Sequence, residues 1–431
     1  MKKPLRILML IWEFPPEISG GLGIAGAGIV KSLTASGCKV DVLLPKVSRT
    51  HASHGASLLD ASTMDIEEAL WTQDEEVVET VKKMEFGSHL VPYLPPEEFA
   101  REVTSKQSRK IEVQSKERVA ADGIELEGGY RHDVLSQVRK YALLAYQQAQ
   151  SGAYDIVHVH DWLTFPAGAL IQAAGQHVVF HVHSLETDRN GIYGNAEVSQ
   201  IEREALTKAK YIVAVSNRTR AAISHHFEVN EDTIEVIPNG LDEEFRPAQN
   251  VNGAVRIGFV GRLTHQKGPN YFLDIAKELK ARLPDGTFEL IGEGYLMPEL
   301  KKKAHHLNLS KTINFRGFLS HDETMEQMKH LDLLVFPSVS EPFGLVALEA
   351  IAHGVPVVAS PNTGIAEFVG SIPQVENWNV YEAARLCYRL LSEDSFRQET
   401  VAQCQEEAKK LSWDESGARL QFLYHELLRR K

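Results

Sequence analysis

Late in the chain, two acids bracket the segment Glu341-Pro342-Phe343-Gly344-Leu345-Val346-Ala347-Leu348-Glu349. Leu331 to Phe336 before it is an apolar run of strand length, and Gly344 to His353 after it carries apolar residues at helical spacing. Glu341 therefore sits on a strand-to-helix loop at the carboxyl end of a strand, where open α/β sheets place their ligands. Gly344 and Leu345 would open the helix with free N–H groups, which attract an anion such as phosphate. Helical side chains lean toward the N-terminus, so Glu349 can aim its carboxylate at the same mouth. Carboxylates repel phosphate, and what they can do here is accept hydrogen bonds from hydroxyls: a sugar ring at Glu341 and a ribose at Glu349. Phe343 lies between them and joins the candidate binding set. A molecule offering diol, diphosphate and diol in that order fits the pattern.

A diphosphate needs cations, and a second strand-to-loop junction supplies them. Val255 to Val260 reads as a strand, followed by Gly261-Arg262-Leu263-Thr264-His265-Gln266-Lys267-Gly268 and a helix through Lys280. Arg262 and Lys267 can reach forward from the strand edge and neutralise a departing diphosphate.

Histidines end two further strands. Asp155-Ile156-Val157-His158-Val159-His160-Asp161-Trp162 and Val178-Val179-Phe180-His181-Val182-His183-Ser184 are consecutive strands, which puts His160 and His183 together at one sheet edge if they pair. Metal ligation would need a third ligand at fixed spacing. The spacing offers none, so no metal is expected, and His160 and His183 are read as hydrogen-bonding residues at a sugar. His158 and His181 read as satisfied strand-end histidines, and Glu186, Asp188, Arg189 and Asn190 as solvated loop residues.

These residues must be held by alternating strands and helices. Ile7 to Ile11 reads as a buried first strand, Ala25 to Ser36 as a helix ending at Gly37, and Val40 to Leu44 as the next strand. Gly21-Leu22-Gly23-Ile24-Ala25-Gly26 matches the dinucleotide pattern G-x-G-x-x-G. However, Trp12 to Ser19 separate it from its strand, and Pro45-Lys46 stand where a ribose-binding acid belongs. Nicotinamide chemistry is disfavoured, while Gly20, Gly21 and Leu22 can still bring backbone amides close to a phosphate. Further strands are expected at Tyr211 to Ser216, Ile234 to Ile237, Phe288 to Ile291, Thr312 to Phe315 and Val355 to Ala359. A strand near Phe86 to Tyr93, a polar segment Arg101 to Arg118, and an amphipathic helix Trp413 to Leu428 with Leu420, Leu423, Leu427 and Leu428 available for packing complete the reading.

At 431 residues the chain exceeds one core. Two domains are expected: 1–247, with the helix 412–431 packed back onto it, and 248–411. Ala248 to Gly253 reads as the linker. With 43% hydrophobic and 24% charged residues the composition is that of a soluble protein, and a charge of −12 disfavours nucleic acid or an anionic membrane as partner. Three scattered cysteines fit no disulfide framework and suit a reducing compartment. The apolar run after Lys2-Lys3 meets Glu13-Phe14-Pro15-Pro16 too early for a signal peptide, and no run has membrane-spanning length. A cytoplasmic location without a stable membrane anchor is expected.

Together, Gly20-Gly21-Leu22-Gly23, His160-Asp161-Trp162, Gly261-Arg262-Leu263 with Lys267-Gly268, and Glu341-Pro342-Phe343-Gly344 ending in Glu349 resemble the retaining nucleotide-sugar glycosyltransferases of family 4 and the glycogen and starch synthases. The resemblance spans nearly the whole chain and is weakest at 47–135. It implies the α/β GT-B fold, in which two Rossmann-like, doubly wound domains face a cleft. It implies that Arg262 and Lys267 bind the diphosphate, Glu341 the donor sugar and Glu349 the ribose. Gly344 and Leu345 would offer amides, Gly21 and Leu22 would close over the phosphates, and His160 would sit at the sugar. No cofactor or metal is implied, and no Asp-x-Asp stretch stands ready to hold one. The donor would be a nucleotide diphosphate sugar and the acceptor a carbohydrate or other hydroxyl. A hexose, with glucose foremost, would move with retention to give an α-linkage, by front-face attack in which the leaving phosphate takes the acceptor's proton.

Two positions depart from the pattern. Glycogen synthases carry lysine where this chain has Ile18, and Gly370 to Val380 is shorter than the corresponding family segment. The alternatives within this frame are a GT-B-type sugar-nucleotide epimerase and a noncatalytic nucleotide-sugar binding protein.

Overall fold

The computed structural model describes residues 3–16, 20–48, 53–66, 126, 134–191, 194–248, 251 and 253–429. The expected strand Phe86 to Tyr93, the polar segment Arg101 to Arg118 and Ile18 lie outside the described residues, as does part of the expected linker.

The chain divides into two compact units. The first comprises Met1–Val215, Thr219–Ile237 and Trp413–Lys431, and the second Ser216–Arg218 and Pro238–Ser412. The residues 238–247, assigned to the first domain from sequence, go with the second because their bonds lie there. Leu241 donates its backbone N–H to the Leu411 carbonyl at 3.0 Å and Arg246 to the Ala352 carbonyl at 2.7 Å, while Glu243 pairs with His353 at 2.9 Å.

Among the described residues, the first unit is built on one parallel sheet of seven strands in the order β3-β2-β1-β4-β5-β6-β7. These are β1 (Arg6–Leu10), β2 (Lys39–Leu44), β3 (Ser57–Asp60), β4 (Ile156–His160), β5 (Val178–Val182), β6 (Ile212–Ala214) and β7 (Ile234–Val236). Strands β1, β4 and β5 are buried on both faces, as expected of near-continuous Val, Ile and Leu runs covered by helices. The strand order reverses between β1 and β4, so the loops leaving their carboxyl ends turn to opposite faces and leave a crevice.

The helix after β1 runs Gly21–Ala35, four residues earlier than the apolar periodicity placed it (25 − 21 = 4). Its glycines serve packing. A Cβ on Gly26 would lie 2.0 Å from Ile11 Cδ1, and one on Gly28 2.3 Å from the ring of Trp413. Trp413 opens the terminal helix Trp413–Arg429, whose Gly417 in turn meets Ser32. The two helices thus cross at small residues. Leu420 and Leu427 are buried there, but Leu428, expected to pack, is exposed, because its side of the helix has turned to solvent.

The second unit carries a parallel five-stranded sheet in the order β10-β9-β8-β11-β12. Its strands are β8 (Arg256–Val260), β9 (Thr287–Ile291), β10 (Ile313–Gly317), β11 (Leu333–Phe336) and β12 (Val357–Ala359). Here the reversal lies between β8 and β11. A buried cluster including Ile257, Phe259, Phe272, Leu290 and Val335 fixes both strands and hence the loops at their ends. All three cysteines are buried and free. No described helix is long and apolar enough to cross a membrane.

Candidate functional site

In the second unit the predicted residues converge on the reversal between β8 and β11. After β8 the chain makes a short helical turn, His265–Lys267, ending at Gly268, whose φ is +69°. A Cβ on Gly268 would lie 2.1 Å from the Pro337 carbonyl oxygen, so glycine alone lets this loop touch the one after β11. The contact brings Lys267 Nζ to Glu341 Oε2 as a short ion pair. Ser338 adds its hydroxyl to the same oxygen at 3.3 Å. The cation expected on a diphosphate and the acid expected on a sugar thus engage each other. Arg262 is half-buried on the same loop, close enough to Tyr295 for its charge to act on the phenol.

Gly344, at φ +113°, caps the helix Leu345–Ala352. Its carbonyl accepts from Ala347 at 3.0 Å, while the N–H groups at the helix start precede the ladder and face the loop. Phe343 requires a correction. Its side chain is buried against Phe368 at a centroid distance of 5.9 Å, and its carbonyl accepts from Ile365, so it shapes the loop from below rather than lining a site.

Glu349 is buried one turn into this helix. Burial, and secondly the Glu243 carboxylate, push its pKa up to about 8. His321 Nδ1 stands 3.9 Å from Glu349 Oε1. Glu243 is held below the usual carboxylate range by its hydrogen bond to His353. Glu243 and His321 went unnoticed in the sequence because neither lies in the segment that carries Glu349.

The first unit gathers its predicted residues at the reversal between β1 and β4. Gly20 has extended backbone and open space where a side chain would be, and Gly21 and Leu22 begin the helix with their N–H groups. β4 pairs with β5 in the register His160 to His181. His160 Nδ1 lies 2.8 Å from His183 Nε2, the predicted proximity. Thr164 locks the strand end, its hydroxyl accepting from the His160 N–H at 2.7 Å and donating to the His160 carbonyl at 2.8 Å.

Asp161 adopts a left-handed φ of +57° and accepts the N–H groups of His183 at 2.7 Å and Ser184 at 3.3 Å. It ties the end of β5 to that of β4. Burial raises its pKa to about 7 against the opposing Arg189 charge.

Two sequence expectations fail here. Glu186, Asp188 and Arg189 are buried, not solvated: Arg189 Nε donates to Glu186 at 3.1 Å and its Nη2 to Glu202 at 2.8 Å, and burial pushes the Glu202 pKa up to about 8. The expected absence of a third metal-spaced histidine also fails, because nitrogens of His158, His160 and His181 lie within 4.8 Å of one another across the two strands.

The chain matches two family models, one described as Glycosyltransferase Family 4 over residues 107–245 and one as Glycosyl transferases group 1 over residues 242–411. The chain belongs to these glycosyltransferases. An uncharacterized glycosyltransferase of Methanocaldococcus jannaschii is 25% identical across 95% of each chain. The glycogen synthase of Mycobacterium tuberculosis is 28% identical over 85% of this chain and 80% of its own. Among solved structures, the sucrose-phosphate synthase of Thermosynechococcus elongatus superposes with a TM-score of 0.71 at 18% identity, covering 99% of this glycosyltransferase and all of the other chain (100%). HepE of Anabaena, solved with UDP and glucose, gives 0.65 at 17% identity over 98% of this chain and 100% of its own. The fold is GT-B, two parallel-sheet α/β domains.

Proposed function

We propose that this glycosyltransferase moves a hexose, glucose first among candidates, from a nucleotide diphosphate sugar to an acceptor hydroxyl with retention, forming an α-linkage. The observation that carries this reading is the Lys267–Glu341 pair at the β8–β11 reversal, beside the helix start at Gly344. A cation, open helix N–H groups and a sugar-ready acid are the three groups a glycosyl diphosphate needs, and they stand together. Binding would draw Lys267 from Glu341 to the phosphates, where with Arg262 it stabilises the charge of the leaving group. Glu341 then accepts from sugar hydroxyls and Glu349 from the ribose.

In the first unit, Gly20, Gly21 and Leu22 offer amides to phosphate, and His160 and His183 offer ring nitrogens to the sugar. The location is taken as cytoplasmic. Metal at the diphosphate is not needed in this scheme, since Arg262 and Lys267 supply the positive charge, and turnover in excess chelator should persist.

The test is a panel of UDP-, ADP- and GDP-sugars, with nucleotide release followed with and without carbohydrate acceptors. Acceptor-stimulated release with an α-linked product is expected. A 2-epimer without transfer, or binding without turnover, would replace this reading with an epimerase or a noncatalytic binder.

A further inference from the structure

The four histidines of β4 and the β5 edge form a buried group larger than sugar contact requires. His158 and His160 stack at 4.6 Å between ring centroids, His181 and His183 at 4.2 Å, and His160 and His181 at 5.3 Å. Alternate residues of a strand share a face, and two paired H-x-H strands therefore put all four imidazoles on one side of the sheet. His160 Nε2, His181 Nε2 and His183 Nδ1 are buried without a hydrogen-bond partner. Native proteins rarely leave such atoms orphaned, so an unfilled valence here calls for a ligand.

We propose that His158, His160 and His181 form a binding site for a divalent transition-metal ion of the zinc type. Imidazole nitrogens bound to zinc lie about 2.0–2.1 Å from the ion, hence roughly 3.4 Å from one another in a tetrahedron. His158 Nε2 and His181 Nδ1 share a hydrogen bond of 3.1 Å; an ion would take that proton's place, the His181 proton moving to its unpartnered Nε2, and the full set spans at most 4.8 Å, within reach of ring rotation. Nδ1 of His158 contacts the Tyr424 hydroxyl, the kind of oxygen partner that fixes a ligating histidine's tautomer and frees its other nitrogen. His160 has its Nδ1 engaged by the His183 ring nitrogen at 2.8 Å and its Nε2 without a partner. Burial keeps the rings neutral, the form that donates a lone pair. A set of imidazoles alone selects zinc, cobalt, nickel or copper over magnesium or calcium.

The ion would occupy Nε2 of His160, which the proposed function gives to the sugar. Zinc should therefore inhibit transfer in competition with the donor, an effect that rests on that reading while the binding itself does not.

The test uses full-length protein stripped of metal and titrated with Zn²⁺ and Co²⁺ by equilibrium dialysis. One ion per chain is expected, with a cobalt absorption spectrum of low coordination number, and binding weakened at least tenfold in His181→Asn and in Tyr424→Phe. Failure to retain an ion at micromolar concentration overturns the site. So does wild-type affinity in His181→Asn, which would assign the ion to the surface pairs His225–His226 or His305–His306. Should that variant not fold, imidazole nitrogen resonances of the wild type decide: those of His158, His160 and His181 must shift on adding Zn²⁺, and unmoved resonances refute the site. If zinc binds but transfer is unaffected, the metal site stands and the sugar role of His160 falls.

Discussion

Neutralising Lys267 and Glu341 separately and together distinguishes a structural pair from a functional one. The side chains are only 18% and 8% exposed, and the acid's remaining partner is the Ser338 hydroxyl. Removing one member of a fully buried pair costs about 3–5 kcal/mol, because the other charge stays desolvated without compensation. With Lys267 partly in water, about 2–3 kcal/mol is the appropriate range for Lys267→Met. For a unit of this size that lowers Tm by about 5–10 °C, measurable by calorimetry.

Glu341→Gln should cost less, since an unpaired lysine at this exposure can find water. The double variant removes both charges while nearly keeping both shapes, so most of the stability should return, giving a coupling energy of about 2–3 kcal/mol. Turnover should not return. Each single variant, and the double, should lose more than tenfold in kcat/KM on the true donor, at least ~1.4 kcal/mol in the barrier. Two results would refute the reasoning: additive destabilisation, which denies the pair, or a double variant with wild-type turnover, which denies the site.

Three further outcomes are expected. With its pKa raised to about 8, Glu349 keeps its proton in the fold while the unfolded chain loses it near the ordinary glutamate value of 4.5. The folded state then binds more protons, so stability falls as pH rises from about 4.5 to 8, by about 1 kcal/mol per pH unit; urea unfolding of Glu349→Gln across that range should lack this slope. Asp161→Ala removes the acceptor of two N–H groups and puts alanine at φ +57°, for a loss of about 2 kcal/mol and a faster-exchanging His183 amide. Gly28→Ala drives a Cβ to 2.3 Å from Trp413 and should cost about 1–3 kcal/mol, whereas Gly20→Ala meets nothing within 4 Å and should leave Tm unchanged while raising the donor KM.

Strand ends were legible because buried parallel strands are apolar throughout and stop at their first polar or glycine residue. Arg262, Lys267 and Glu341 were proposed from their loops beyond apolar strands, His160 and His183 as histidines ending two consecutive strands, and the family resemblance pointed to Arg262, Lys267, Glu341 and His160 as well. What the sequence hid were groups whose neighbours come from far along the chain. A phenylalanine between proline and glycine reads the same whether it lines a site or, like Phe343, packs on Phe368. Glu186 and Arg189 read as solvated loop residues until Arg189 is seen paired with Glu186 and with the buried Glu202. His181 could not be counted with His158 and His160 before the β4–β5 register was known.

Both sheets put their chemistry at the same topological feature. In each, two neighbouring strands send their crossover connections to opposite faces, and in the second unit the loops after β8 and β11 meet at the reversal, Gly268 against the Pro337 carbonyl and the Val339 N–H on the Gln266 carbonyl at 2.7 Å. Glycine allows that meeting at Gly268, where a Cβ would strike a carbonyl, and the left-handed turn at Gly344. Arg262 and Lys267 stand in the loop beyond β8, and His160 closes β4 itself. It follows that replacing Gly268 or Gly344 by alanine should raise the donor KM through backbone position while every charged group remains in place.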